Sequence, residues 1–221
     1  MKPVPPRYRG LWRRTLLQQP SGDDASTLVL WLQGPSWHAD LRIPAERDAF
    51  QGRLADCPPA ALRALLRQEG FAGITRVGAG RCRWLRHIDY RPTGQPDLGR
   101  MAFARRHDAI DEYGVASDYA ERWVRDRRGD GPQALHLGRD AIWLRSGACF
   151  MRVARVAMRG RAAAFIGLER GGEAALRRLA DLAIDFGRIR GRRAVVDHST
   201  LPRREGRTLR LPDALRAGPR G

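Results

Sequence analysis

The sequence predicts an all-β fold with one or two short helices, an antiparallel β-barrel of about ten strands. Three observations predict it. Short strand-like runs follow one another, with Gly, Pro, Ser and Asp turn signals recurring roughly every eight to twelve residues. No βα alternation supports a parallel sheet, and neither GxGxxG nor GxxxxGK[ST] occurs in the chain. Finally, two runs carry polar residues on rows that an open sandwich would keep apolar, which suits a closed barrel with a partly polar lumen.

The elements follow in order. Residues 1–7 are Pro-rich and predict a disordered arm. YRGLWRRTLLQ, residues 8–18, predicts a first strand carrying Trp12, and QPSGDDA after it is turn chemistry. Residues 26–33 and 37–43 predict a hairpin turning at Gly34-Pro35-Ser36. Pro58-Pro59 opens a helix near residues 58–68, with Ala61, Leu62, Leu65 and Leu66 at helical spacing. Gly70-Phe71-Ala72-Gly73 predicts its C-cap and a close backbone approach. Strands are expected at 74–77, 82–90, 98–105, 109–114, 119–127, 133–137, 141–145, 149–158 and 162–167. SDYAERWVR also admits one helical turn. A short helix is expected at 173–179, then a hairpin of 182–190 and 193–199 turning at Gly191. The expected organisation is one barrel domain over 8–210 with a flexible tail over 211–221.

The 221 residues, 43% hydrophobic, suffice to bury a core without staples. No apolar run approaches the ~18 residues of a membrane span. MKPVPPRYRGLWRR lacks an apolar core followed by a small-residue cleavage site. Cys57, Cys82 and Cys149 are far apart and odd in number, so neither a disulfide framework nor a metal spacing is visible. A cytoplasmic protein with no membrane contact, cofactor or metal is the expectation. The net charge is +17, yet of 41 basic residues only Lys2 is a lysine, which suits a GC-rich coding composition better than a surface selected for charge. The excess concentrates late: residues 151–221 hold 17 arginines against 7 acids.

In WLQGPSWHADLRIP (31–44), Trp37, Ala39, Leu41 and Ile43 share one side, and His38, Asp40 and Arg42 share the other. In RCRWLRHIDYRP (81–92), Cys82, Trp84, Arg86, Ile88 and Tyr90 oppose Arg83, Leu85, His87 and Asp89. If these rows face a lumen, arginines and carboxylates there need each other, and Arg–carboxylate forks are the natural solution. The candidate ligand-binding set is Trp12, Arg14, Trp31, Asp40, Arg42, Trp84, Arg86 and Asp89. Arginines would neutralise an anion, indoles would stack and aspartates would orient the arginines. Replacing Arg86 by Ala is then expected to weaken binding with the fold largely intact. The plain alternative is a solvated polar face.

Catalytic patterns are weak. Cys82 is explained as a small buried hydrophobe. Five histidines are scattered one per segment, with no HxH or HxxxH pair. His198 lies between Asp197 and Ser199, but neighbours on a strand point to opposite faces, so no triad is ready. Glu112 and Glu121 are candidate acid and base if both face a pocket.

WRR (12–14), WLQ (31–33), ADLRIP (39–44), GFAG (70–73), the CxW of Cys82–Trp84, DFGRIRG (185–191) and STLPRREG (199–206) occur in that order. In these motifs, over about residues 8–210, the chain resembles a family of bacterial proteins of uncharacterised function. That family is associated with calycin-type, lipocalin-like β-barrels and has a fungal relative built from two barrels. The resemblance implies a barrel pocket and assigns no catalytic residue. The expected function is binding of a small anionic or aromatic ligand. A cyclase or isomerase of a biosynthetic pathway is the alternative. Nucleic-acid contact through the basic last third comes second, since only Phe165 and Phe186 supply aromatics across residues 151–210.

Overall fold

The structure, a computed structural model, describes residues 2–47, 49–167 and 172–216. Eight antiparallel strands close a barrel in sequence order. They are β1 (Gly10–Gln18), β2 (Leu28–Gln33), β3 (Trp37–Ile43), β4 (Glu69–Gly78), β5 (Arg81–Asp89), β6 (Asp97–Phe103), β7 (Ala109–Gly114) and β8 (Ala120–Asp126). β8 pairs back onto β1, Arg14 opposite Trp123, so no edge remains. Six more strands form a second sheet: β9 (Gln133–Leu137), β10 (Ala141–Ser146), β11 (Cys149–Ala154), β12 (Ile184–Arg190), β13 (Arg193–Ser199) and β14 (Thr208–Arg210). The helices are α1 (Pro59–Leu65), α2 (Arg161–Ile166) and α3 (Glu173–Ala180).

The mainly β barrel architecture is thus present, but among the described residues the strands number fourteen and divide between two sheets. Alternation identifies a strand without saying which sheet it joins. SDYAERWVR is strand β8, as the pairing of Glu121 with Leu17 requires. Residues 162–167, expected as strand, form helix α2 within Arg161-Ala-Ala-Ala-Phe-Ile, where three consecutive alanines favour helix over sheet. The tetrapeptide 70–73 does not cap α1, which ends at Leu65; it opens β4. Its glycines do serve close approach: a Cβ on Gly73 would stand 1.9 Å from the carbonyl oxygen of Leu85, where β4 and β5 slip register.

β2 and β3 are buried on both faces. Leu30, Leu32, Ala39, Leu41 and Ile43 point outward into a core shared with Ile142, Leu144, Met151, Val153, Ile184 and Phe186 of the second sheet. Leu62, Leu65, Leu176 and Leu179 of α1 and α3 extend that core. The far face of the second sheet is covered by Leu211 and Leu215, which pack on Trp143, Phe150 and Val196. The tail from 211 is therefore anchored as far as residue 216, and residues 217–221 lie outside the described ones. The N-terminal arm is also placed. Val4 and Tyr8 are buried against Trp12 and Phe103, and the Val4 amide donates to the Pro35 carbonyl at 2.7 Å. Apolar contact with the barrel end holds a segment whose composition alone predicts none.

Candidate functional site

Alternation decides what enters the lumen. From β1 come Trp12 and Arg14, from β2 Trp31 and Gln33, and from β3 His38, Asp40 and Arg42. The remaining strands bring Phe71 and Thr75, then Cys82, Trp84 and Arg86, then Asp97, Glu112, Glu121 and Trp123. The His38-Asp40-Arg42 row faces inward. The end nearest the Gly34 turn is a packed plug of Tyr8, Trp12, Cys82, Met101 and Ile110. The other end opens between residues 19–27, 93–97 and 116–119 into a cavity of about 560 Å³, within the range of small-molecule sites. Its walls include Arg14, Trp31, Asp40, Arg42, Phe71, Trp84, Arg86, Asp97, Glu112, Glu121 and Trp123.

Six of the eight expected ligand-binding residues line this cavity, as do Glu112 and Glu121. Trp12 belongs to the plug beneath it, its indole N–H donating to the Tyr8 carbonyl at 2.7 Å. Asp89 stands behind the wall and accepts from Arg86 at 3.1 Å.

Each of the three arginines expected to neutralise a ligand is already paired twice. Arg14 donates to Glu121 and Asp24, both at 2.7 Å. Arg42 meets Asp40 at 2.9 Å and Glu121 at 3.5 Å. Arg86 forks onto Asp97 at 2.6 and 2.9 Å, reaches Asp89 and lies 3.6 Å from the Phe71 ring centroid. Such forks fix orientation as well as charge. Burial pushes Asp40 up to about 6 despite Arg42 beside it, and raises Asp89 against the pull of Arg86. Across the cavity wall, Arg14, Arg42, Arg67 and Arg86 face seven carboxyls: Asp24, Asp40, Glu69, Asp97, Glu112, Asp118 and Glu121.

Glu112 differs from the other interior acids. Its Oε1 accepts from the Tyr119 hydroxyl at 2.8 Å and its Oε2 from the Trp123 indole at 3.0 Å. Glu121 is its direct neighbour across the β7–β8 ladder. Burial, then the charges of Glu121 and Asp97, raise the Glu112 carboxyl well above its ordinary range. Burial, then Glu112 and Asp97, raise the Cys82 thiol well above its ordinary range, which works against a nucleophilic thiolate.

Below the wall lies a fixed polar chain. The Gln33 side-chain amide donates to the carbonyls of Gly34 and Trp37, which leaves Oε1 to accept from Trp31 at 3.2 Å and from the Thr75 hydroxyl at 2.8 Å. Thr75 then accepts from Nδ1–H of His38 at 2.9 Å. His38 Nε2 is a bare acceptor with no hydrogen-bond partner among the described residues. Burial, with Arg86 and His87 nearby, pulls His38 down to about 3.

Sequence reasoning does not single out Asp24, Phe71, Asp97 or Tyr119 for the site. Asp24, Asp97 and Tyr119 sit in or beside turns, where alternation is silent. Phe71 sits in the Gly-rich tetrapeptide read as a cap. The signal for Phe71 was present, since Gly70 and Gly73 mark backbone held close to other elements. Two of the motifs serve structure elsewhere: Asp185 of DFGRIRG takes Arg152, Arg204 and the Ser199 hydroxyl of STLPRREG.

Among the described residues, no group of three or more His, Cys, Asp and Glu side chains is arranged to hold a metal ion, and no helix is long and apolar enough to cross a membrane. No family model matches the chain, and no curated protein matches it. An uncharacterized protein from Saccharomyces cerevisiae, known from a crystal structure, is similar over 92% of this chain and 84% of its own. The identity is 10% and the TM-score 0.49.

Proposed function

We propose that this protein is a calycin-like barrel that binds a small ligand in its lumen, in the cytoplasm. One observation carries the reading: a cavity of about 560 Å³ whose walls are held by ion pairs, the Arg14–Glu121 pair buried on both sides. A merely solvated face does not need Arg14 and Glu121 at 5% and 4% side-chain exposure around open space. Walls fixed before binding spare a ligand the ordering cost of flexible ones. Trp31, Trp84 and Phe71 offer apolar and π surface to a planar body. Arg14, Arg42 and Arg86 act as posts that hold the carboxylates in place.

Native mass spectrometry of the protein isolated from its host tests this. A stoichiometric added mass of a few hundred daltons is expected. A bare chain that also binds nothing in a broad small-molecule screen overturns the proposal.

Glu112 favours a second reading. A buried carboxyl whose proton affinity is raised beside a pocket suits a general acid, as an isomerase or cyclase requires. Turnover of a bound ligand, lost in Glu112→Gln, would select it. Nucleic-acid contact through the last third has support in one surface. Arg190, Arg192, Arg193, Arg207 and Arg210 are exposed and make no ion pair among the described residues.

A further inference from the structure

We infer that the lumen selects a cationic ligand, whose ammonium or similar head sits against Glu112 beside the indoles of Trp31, Trp84 and Trp123. This rests on the lumen being a ligand site.

Charge is the first argument. Arg14, Arg42 and Arg86 share five carboxylates, Glu121 serving both Arg14 and Arg42, so more than one acid stands against each arginine and little attraction is left for an anion. The wall as a whole carries more carboxyls than arginines. An anion placed there adds like charge where screening is weak, whereas a cation relieves it.

Glu112 is the second. It is 3% exposed and has no cationic partner among the described residues. Its two neutral donors, Tyr119 and Trp123, take one bond on each oxygen. An ionised carboxylate accepts about four, and a cation beside it would favour the ionised form against the burial and neighbouring acids that oppose it. Gly99 on the neighbouring strand lets the carboxyl lie flat against the wall, since a Cβ there would come within 2.8 Å of Glu112 Oε1.

The indoles are the third. Trp31 meets Trp84 with centroids 5.7 Å apart at 77°, and Trp123 at 5.6 Å and 70°. All three line the cavity, and Trp123 also holds Glu112. The rings pack edge to face on one another. A cation would therefore meet the side of this cluster that lines the cavity, next to the Glu112 that Trp123 holds, where aromatic surface attracts cations and tolerates their alkyl substituents. The ligand class is therefore an organic cation, primary to quaternary, on a compact or planar body.

The test titrates the full chain with benzyltrimethylammonium and, as the anionic counterpart on the same ring, benzoate, following tryptophan fluorescence. The cation is expected to bind at least tenfold more tightly than benzoate, and Glu112→Gln to weaken it at least tenfold. Incorporated fluorotryptophan, which withdraws charge from the ring faces with little change of shape, is expected to weaken it severalfold, and decides alone should the Gln variant fail to fold. Benzoate binding as well as or better than the cation, or full cation affinity in a folded Glu112→Gln protein, overturns the assignment. So does an anionic or neutral host ligand found by native mass spectrometry, with the lumen still a ligand site. Failure of both probes together with a bare native mass removes the ligand site itself.

Discussion

Inside the barrel, Arg14, Arg42 and Arg86 stand around open space, each holding two carboxylates. On the second sheet the ratio inverts: one carboxylate, Asp185, fully buried, holds Arg152 at 3.2 Å, Arg204 at 2.7 and 2.9 Å and the Ser199 hydroxyl at 2.7 Å. Pair chemistry is the same in both. In the second cluster both oxygens of Asp185 are used, and its product is a pinned turn at residues 199–205. In the first, acids outnumber arginines and Glu112 is left with neutral donors only. Buried ion pairs by themselves say little about function. What distinguishes the barrel is the residual charge and the volume beside it.

The largest effect expected from this contrast is on Asp185. Asp185→Ala strands two partly buried guanidinium groups, and removal of one partner from such a pair costs about 4 kcal/mol. Urea unfolding should show that loss; a change below about 1 kcal/mol would erase the distinction between a structural cluster and a functional one.

His38 comes next. Its pKa in the fold is about 3 against an ordinary 6.5, so the fold stays neutral where the unfolded chain takes up a proton. Stability from this group is complete above 6.5 and drains away as pH falls toward 3. Between pH 7 and pH 4 the loss is about 3 kcal/mol, at ~1.4 kcal/mol per unit. Asp40, raised to about 6 from 3.8, works in the opposite sense across that interval and partly offsets it. Urea melts at both pH values, compared between the wild-type protein and His38→Gln, isolate the His38 share. Equal pH dependence in the two would mean that His38 titrates alike in the folded and unfolded chain, and would overturn the burial argument.

Arg86→Ala is expected to cost about 2 kcal/mol, since it leaves Asp89 and Asp97 without their cation. This revises the expectation of a largely undisturbed fold. Ligand binding should weaken in the same variant, and calorimetry read beside thermal melting separates the two effects. Binding unchanged would remove Arg86 from the site.

The smallest effect is on the far edge of the second sheet. Exposed Arg192→Ala and Arg193→Ala should alter stability by less than about 0.5 kcal/mol. Retention on heparin that falls steeply with salt, and is lost in the double variant, would move nucleic-acid contact ahead of the lumen as the working part.

Much of the barrel was legible because period-2 alternation reports facing directly. WRR, WLQ, ADLRIP and CxW each place alternate residues in the lumen, and these supply Arg14, Trp31, Asp40, Arg42 and Trp84. The mixed rows that suggested closure have a second cause: β2 and β3 carry leucines outward into another sheet and polar groups inward. The second sheet itself was not legible, because its strands alternate as the barrel's do and partner choice is a long-range property. Asp97 and Tyr119 were missed because residues at turns have no fixed facing. The expectation of an anionic or aromatic ligand rests on the arginines and indoles of these rows, whereas the inferred cation rests on who stands opposite each arginine, which a linear sequence does not display.

The plug at the Gly34 end has a further consequence. Val4 and Tyr8, drawn from the beginning of the chain, stop the barrel as a cork stops a tube. A ligand of the proposed kind would then enter and leave past residues 19–27, 93–97 and 116–119. Its dwell time would be a property of those residues, separable from the walls that contact it.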